Sequence, residues 1–119
     1  MFVAKYVDWI SSITFRDGAT VYFDGPKDLL KFHLNPGKFG SPKKQGDITR
    51  VQVKDYYSLA PIDGRQAYYV IGSDVLGPMG RELVPFSKKD DAEGFLKDHH
   101  GKSVLRFGEI TTVILKSLE

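Results

Sequence analysis

Tyr22-Phe23-Asp24-Gly25-Pro26-Lys27-Asp28-Leu29-Leu30-Lys31-Phe32 and Pro85-Phe86-Ser87-Lys88-Lys89-Asp90-Asp91-Ala92-Glu93-Gly94-Phe95 match in order along the chain. Each sets a Phe before a cap and a breaker, an Asp five residues after that Phe and a second Phe nine after it. Each then continues to a Gly-Lys pair, Gly37-Lys38 and Gly101-Lys102, and on to a β-rich run. A repeat present twice points to duplication, because a solenoid needs more copies. The expectation is one domain over residues 1–119 made of two pseudo-repeats, about 1–58 and 62–119.

The first copy opens with a hairpin in Ile13–Phe23. A two-residue Asp17-Gly18 loop would put Phe15 and Val21 on opposite faces. A three-residue Arg16-Asp17-Gly18 loop, with Gly18 left-handed as a bulge, puts Ile13, Phe15, Ala19, Val21 and Phe23 on one face and Thr14, Thr20 and Tyr22 on the other. The three-residue loop is therefore expected. Gly25 or Asp24 caps the following helix, Pro26 sits in its first turn and Asn35-Pro36-Gly37 ends it. An exposed loop is expected over 37–46, then a strand from Ile48 to Tyr57 that alternates Ile48, Arg50 and Gln52 against Thr49, Val51 and Val53.

The second copy follows the turn Ile62-Asp63-Gly64-Arg65. It reads as a strand from Ala67 to Ile71, a loop from Gly72 to Gly80 and a returning strand from Glu82 to Phe86. Ser87 is expected to cap a helix, with Asp90 binding back and both Asp90 and Asp91 favoured by the positive helix end. Ala92, Phe95, Leu96 and His99 form its buried stripe, and His100-Gly101 stops it. A strand from Ser103 to Phe107 and a terminal helix from Glu109 to Leu118, buried through Ile110, Val113, Ile114 and Leu118, complete the pattern. The sum is an α+β fold: a ββαβ unit occurring twice, with helices packed on largely antiparallel sheet.

With 119 residues, 41% of them hydrophobic and 13% aromatic, the chain can bury a core without cross-links. A net charge of +2, with lysines interleaved among acids, gives a nucleic-acid role little support. Cysteine is absent, which removes disulfides, thiolate zinc sites and cysteine nucleophiles at once. No apolar run approaches the length of a membrane span, and no targeting signal is present in this chain.

Few residues carry a sharp chemical signal. His99-His100 at a helix end cannot converge on one ion, since neighbouring helical residues point about 100° apart. His99 and His33 each share an apolar stripe and are expected to be packed or hydrogen-bonded. Gly77-Pro78-Met79-Gly80-Arg81 lacks the Lys and Ser/Thr of a nucleotide loop. Ser11, Ser12 and Ser41 lack a nucleophile motif, and Tyr56-Tyr57 and Tyr68-Tyr69 read as strand aromatics with one ring inward and one out. No catalytic residue is assigned, so an enzyme is not expected.

The two methionines stand out. Met1 opens Met1-Phe2-Val3-Ala4-Lys5-Tyr6, and Met79 sits between glycine and proline on a tight turn, where a thioether can be presented outward as a ligand for Cu(I). The plainer reading is a turn methionine packed on a nearby apolar surface.

Met1-Phe2-Val3-Ala4-Lys5-Tyr6 followed by Asp8-Trp9, then Tyr22-Phe23-Asp24-Gly25-Pro26-Lys27-Asp28, then Gly77-Pro78-Met79-Gly80, together resemble the NosL family, accessory proteins of nitrous oxide reductase assembly in denitrification. The resemblance spans essentially the whole chain. It implies a duplicated ββαβ fold, related in shape to the organomercurial lyase fold, and a copper chaperone that binds Cu(I) and delivers it to a copper-receiving protein such as nitrous oxide reductase. It also implies a periplasmic place, or a lipoprotein anchored on the outer side of the inner membrane. Members typically carry Cys-Gly-Met near the front, and this chain begins at what looks like the Met of that motif. A shortened start is therefore expected, one that removed a targeting segment and the thiolate ligand together. Carried over by position, the surviving metal ligands are Met1 and Met79. Two neutral thioethers lack charge compensation, so the isolated chain is expected to hold Cu(I) weakly or to be metal-free. The alternative is a metal-free binding or scaffolding module of the same fold; lyase chemistry is rejected because it needs cysteines.

Overall fold

Phe15 and Ala19 close the first turn. The Phe15 N–H donates to Ala19 O at 2.8 Å, the Gly18 N–H donates to Phe15 O at 2.9 Å, and Gly18 takes φ +90°. This is the expected three-residue loop, and it sets strands β1 (Ser11–Phe15) and β2 (Thr20–Phe23) in the register Ile13 opposite Val21 and Thr14 opposite Thr20. Ile13 and Phe15 are buried, while the hydroxyls of Thr14 and Thr20 meet at 3.1 Å on the opposite face. The computed structural model from which these contacts are read describes residues 9–36, 45–77 and 80–118.

Helix α1 (Pro26–Leu34) starts after Gly25 and buries Leu29, Leu30 and Phe32, and the Asn35 N–H closes it on Phe32 O. Most of the loop expected over 37–46 lies outside the described residues; Gln45–Asp47 form a single 3₁₀ turn. Strands β3 (Ile48–Lys54) and β4 (Pro61–Asp63) complete an antiparallel sheet in the order β2-β1-β3-β4.

Two details of β3 differ from expectation. Ile48 is buried together with Val51 and Val53, because the register against β1 shifts between Thr14 and Phe15; Thr49 is the extra residue, and the bulge reverses the alternation. The strand also stops at Lys54, where the chain turns back with the Asp55 N–H on Ala60 O and the Leu59 N–H on Asp55 O. Tyr56 and Tyr57 therefore lie in a turn, not in a strand.

The second unit repeats the arrangement. Strands β5 (Tyr68–Ile71) and β8 (Val84–Phe86), helix α2 (Lys89–Asp98) and strand β9 (Ser103–Arg106) follow in that order, and the sheet runs β8-β5-β9. In both units the first strand is central, the second lies on one side and the strand after the helix on the other. The α+β fold of duplicated antiparallel ββαβ units is thus present. The stretch expected as a loop contains instead a short hairpin, β6 (Leu76–Gly77) and β7 (Gly80–Arg81).

Helix boundaries shift in two places. Ser87 does not cap α2: its N–H donates to Asp55 Oδ1 at 2.7 Å, and the helix begins after Lys88, which makes no side-chain cap bond. The terminal helix expected from Glu109 is α3 (Thr112–Ser117), preceded by a 3₁₀ turn at Phe107–Glu109. Thr111 caps it by accepting the Ile114 N–H, which resets the phase; Ile110, Leu115 and Leu118 are buried and Val113 is 77% exposed.

The central strand β5 separates two cores. Tyr69 and Ile71 face a cluster with Ile13, Val51, Val53, Leu29, Leu30 and Leu115, whereas Val70 joins Val84, Phe86, Ala92 and Phe95 beneath α2. Asp55 ties the units together. Its buried carboxylate takes the Ser58 N–H at 2.8 Å on one oxygen and the Ser87 N–H on the other, and these bonds outweigh the upward push of burial to hold its pKa below the usual value.

Candidate functional site

The β6–β7 hairpin departs from strand β5 and returns to β8 at the place where the first unit has only its three-residue turn. Leu76 pairs with Arg81 and Gly77 with Gly80. Both glycines are demanded by the geometry. Gly80 takes φ +85°, and a Cβ on Gly77 would lie 2.9 Å from Glu82 Cγ.

Glu82 underlies the root of this hairpin and is 2% exposed. Its Oε1 accepts the Lys27 N–H at 2.6 Å and the Leu83 N–H at 3.0 Å. The first of these bonds has a clear cause: Gly25 offers no side chain to cap α1 and Pro26 has no N–H, so the first donor of the helix is Lys27, and it takes an acceptor from the other unit. A carboxylate at that helix end is favoured by the dipole as well. Lys27 is itself 2% exposed, with Nζ donating to Arg81 O at 2.7 Å. Glu82 Oε2 is buried without a hydrogen-bond partner among the described residues. Burial pushes the carboxyl up to about 7, opposed by the two N–H groups and the charge of Lys27.

Beside the hairpin lies an apolar groove of about 350 Å³ lined by Trp9, Tyr56, Leu59, Val75 and Leu76. Trp9 is the first described residue after the Met1 segment, and Leu76 lies on the strand leading toward Met79. Met1 and Met79 themselves lie outside the described residues. Leu76 and Leu59 are 65% and 45% exposed, so the groove has an apolar rim.

The histidines are occupied as the sequence reading expected. His99 stacks on Phe95 with ring centroids 4.4 Å apart, and its Nδ1 lies 2.9 Å from Asp74 Oδ1, which makes that nitrogen the donor. His33 packs edge-on against Phe107 and receives Gln45 Nε2; burial, together with the charge of Arg65, holds its pKa below the usual value. Among the described residues no three His, Asp or Glu side chains gather into a ready-made metal site. Nor, among them, is any helix long and apolar enough to cross a membrane.

Sequence reasoning missed Glu82 and Lys27. The available signal was Glu82 itself, a carboxylate opening the otherwise apolar run Leu83-Val84-Pro85-Phe86. Nothing in the sequence marked Lys27, because a lysine in the first turn of a helix is ordinarily solvated.

The NosL family model matches residues 1–115. The chain belongs to the NosL family. Against the copper-binding lipoprotein NosL of Stutzerimonas stutzeri it is 44% identical over 55 residues, a match that covers 46% of this chain and 28% of the length of that relative. The fold agrees with two solved NosL structures. The copper chaperone NosL from Shewanella denitrificans superposes with a TM-score of 0.75 at 28% identity, covering 87% of this chain and 79% of that one. The apo-NosL protein from Achromobacter cycloclastes gives a TM-score of 0.62 at 26% identity, covering 88% and 87%.

Proposed function

We propose that this NosL-family chain binds Cu(I) through the thioether sulfurs of Met1 and Met79 and passes the ion by ligand exchange to a copper enzyme such as nitrous oxide reductase, on the outer side of the inner membrane. It handles metal and does not catalyse. The observation that carries this reading is the shared groove: the described end of the Met1 segment, at Trp9, and the strand leading toward Met79, at Leu76, line the same opening. Thioethers suit Cu(I), and an ion held at an exposed turn can be reached by a second protein's ligands. The names of the relatives, a copper-binding lipoprotein and a copper chaperone, support the cargo. We also read residues 1–119 as one domain of two pseudo-repeats, about 1–58 and 62–119, which the matching strand orders support.

An anaerobic Cu(I) competition titration tests the reading on three proteins: this chain, its Met79→Leu variant, and a version with Cys-Gly added before Met1. The expected result is a loss of about tenfold or more in affinity, equivalent to 1.4 kcal/mol, on Met79→Leu, and a clear gain when the thiolate is added. If the Cys-Gly version binds no tighter than the leucine variant, copper handling is wrong. That result favours a metal-free binding module of the same fold, for which the exposed Tyr57, Leu59 and Leu76 are a ready contact surface.

A further inference from the structure

A sheet edge left unpaired is a template for another strand, and this fold treats its edges unequally. Among the described residues the edge strands of the two larger sheets are β2 and β4 in the first and β8 and β9 in the second. Strand β4 begins at Pro61, which has no N–H, and ends at Asp63. On β8, Pro85 again lacks the donor, and its carbonyl accepts the Tyr56 N–H at 2.8 Å. On β9, Glu109 Oε1 takes the Arg106 N–H at 2.8 Å, and the strand ends in a guanidinium lying over the Tyr68 ring. Strand β2, Thr20-Val21-Tyr22-Phe23, has none of these devices: it holds no charge and no proline, and among the described residues no strand lies across its outer edge.

The direction of its free groups follows from the first turn. The Phe15 N–H donates to Ala19 O, so the Ala19 carbonyl faces β1. By the two-residue alternation of an antiparallel pair, the backbone groups of Val21 and Phe23 face β1 as well, and those of Thr20 and Tyr22 point away from the sheet. The close approach of the Thr14 and Thr20 hydroxyls agrees, since side chains come nearest at the pairs that exchange no backbone bond. Tyr22 is 71% exposed. Val21 is exposed too, although it stands opposite the fully buried Ile13, so the apolar side of the sheet runs out to this edge uncovered.

We propose that β2 is a homotypic interface: a second copy of this chain adds its own β2 antiparallel to the edge, with the twofold axis at Val21. In that register Val21 faces its own counterpart and Thr20 faces the counterpart of Tyr22. Every outward N–H of one strand then meets an outward carbonyl of the other, and none is left over. A foreign strand has to bring that spacing with it, whereas a second copy has it by symmetry. The strand carries no charge to oppose its like, and the net charge of +2 is too small to hold two copies apart. The tyrosine ring of each copy lies beside a threonine of the other, a favourable cross-strand pair. A twofold normal to the sheet keeps both α1 helices on one side, and the two valines close the apolar face between them. The contact is at the small end of specific interfaces, so the dimer is expected to have a dissociation constant of about 10–1,000 μM.

The test is sedimentation velocity of the chain in metal-free buffer from about 10 μM to about 1 mM, with amide exchange of Thr20 and Tyr22 followed over the same range. The variants are Val21→Lys, Val21→Glu, Tyr22→Pro and, as a control on a different exposed apolar residue, Val113→Lys. Tyr22→Pro removes an outward donor that the β1 ladder does not use, and far-ultraviolet circular dichroism checks that each variant is folded. The expected result is a mean mass that climbs from one chain towards two, with Thr20 and Tyr22 exchanging more slowly as concentration rises. Val21→Lys and Val21→Glu should each weaken association about tenfold or more, because like charges then meet on the axis, and an equimolar mixture of the two should restore it. Tyr22→Pro should weaken it about tenfold or more, and Val113→Lys should leave it unchanged. A chain that stays monomeric at the highest concentration overturns the proposal and leaves the edge to a strand of another protein. Slow exchange of Thr20 and Tyr22 in the monomer overturns it in favour of a segment of the same chain. A dimer that survives folded Val21→Lys and Tyr22→Pro overturns it by placing the interface elsewhere.

Discussion

The two ββαβ units share a strand order and differ at one connection. In the first unit, β1 passes to β2 through Arg16-Asp17-Gly18, a turn just long enough to reverse the chain. In the second, the equivalent step from β5 to β8 carries the β6–β7 hairpin, the paired Gly77 and Gly80, and the buried Glu82 beneath them. The sheet, the helix and the returning strand are held in common. What has been added is a projecting hairpin whose root is fastened to the other unit through the N–H of Lys27. A scaffold of fixed sheets with one elaborated connection is a common way to place chemistry on a stable fold.

The largest test of this comparison concerns the paired phenylalanines of the repeat. Phe95 is fully buried and packs on Tyr56, Phe86 and His99, whereas Phe32 is slightly exposed and packs on Phe15 and Phe23. Phe95→Ala is expected to cost about 4 kcal/mol and Phe32→Ala about 3 kcal/mol in urea unfolding. Equal losses would mean that the deeper burial of Phe95 carries no weight, and two separate transitions would mean that the two cores do not unfold as one cooperative unit.

Buried carboxylates sharpen the same comparison with opposite signs. Asp55 is held below its usual pKa, so its contribution is present above the unfolded value of 3.8 and lost as pH falls through the folded value. Asp55→Ala, which strands the Ser58 and Ser87 N–H groups at the joint between units, should cost about 3 kcal/mol at pH 7 and less in acid. Glu82 is raised from 4.5 to about 7, so the folded chain holds the extra proton and stability falls as pH climbs through that window. Glu82→Gln is therefore expected to stabilise the chain by up to about 3 kcal/mol at pH 8 and to change little at pH 4. Thermal melts at both values decide it; a constant difference between the two pH values would contradict the assignment.

Smaller effects separate the two turns. Gly80 and Gly18 both take positive φ, and none of the described residues crowds a Cβ built on either, so alanine there should cost about 1 kcal/mol from the backbone alone. Only Gly80→Ala is expected to weaken Cu(I) binding as well. Smallest is His100, which holds φ +55° at the end of α2 where glycine is favoured. His100→Gly should raise stability by about 0.5–1 kcal/mol and leave metal binding untouched.

The repeat, the three-residue first turn, the Pro26 helix start and the packed histidines could all be read from residues alone, because each rests on local chemistry that tertiary contacts did not contradict. The departures have physical causes of longer range. Thr49 reverses the phase of β3 because it is an extra residue, bulged out where β3 pairs with Thr14 and Phe15 of β1. Asp55, 32 residues away, takes the Ser87 N–H to which Asp90 was expected to bind back, and the helix begins one residue later. Glu82 and Lys27 were not legible as partners, since their bond joins residues 55 apart and neither has a motif.

Strand β5 carries a further implication. It is flanked on both edges by β8 and β9 and covered on both faces, by α2 on one and by the α1-side core on the other. Its amides therefore have no route to solvent short of opening both cores together, and in deuterium oxide Tyr69 and Val70 should be among the last to exchange. Leu76 and Arg81 of the short β6–β7 pairing lie outside that double cover, so their amides are expected to exchange well before those of β5.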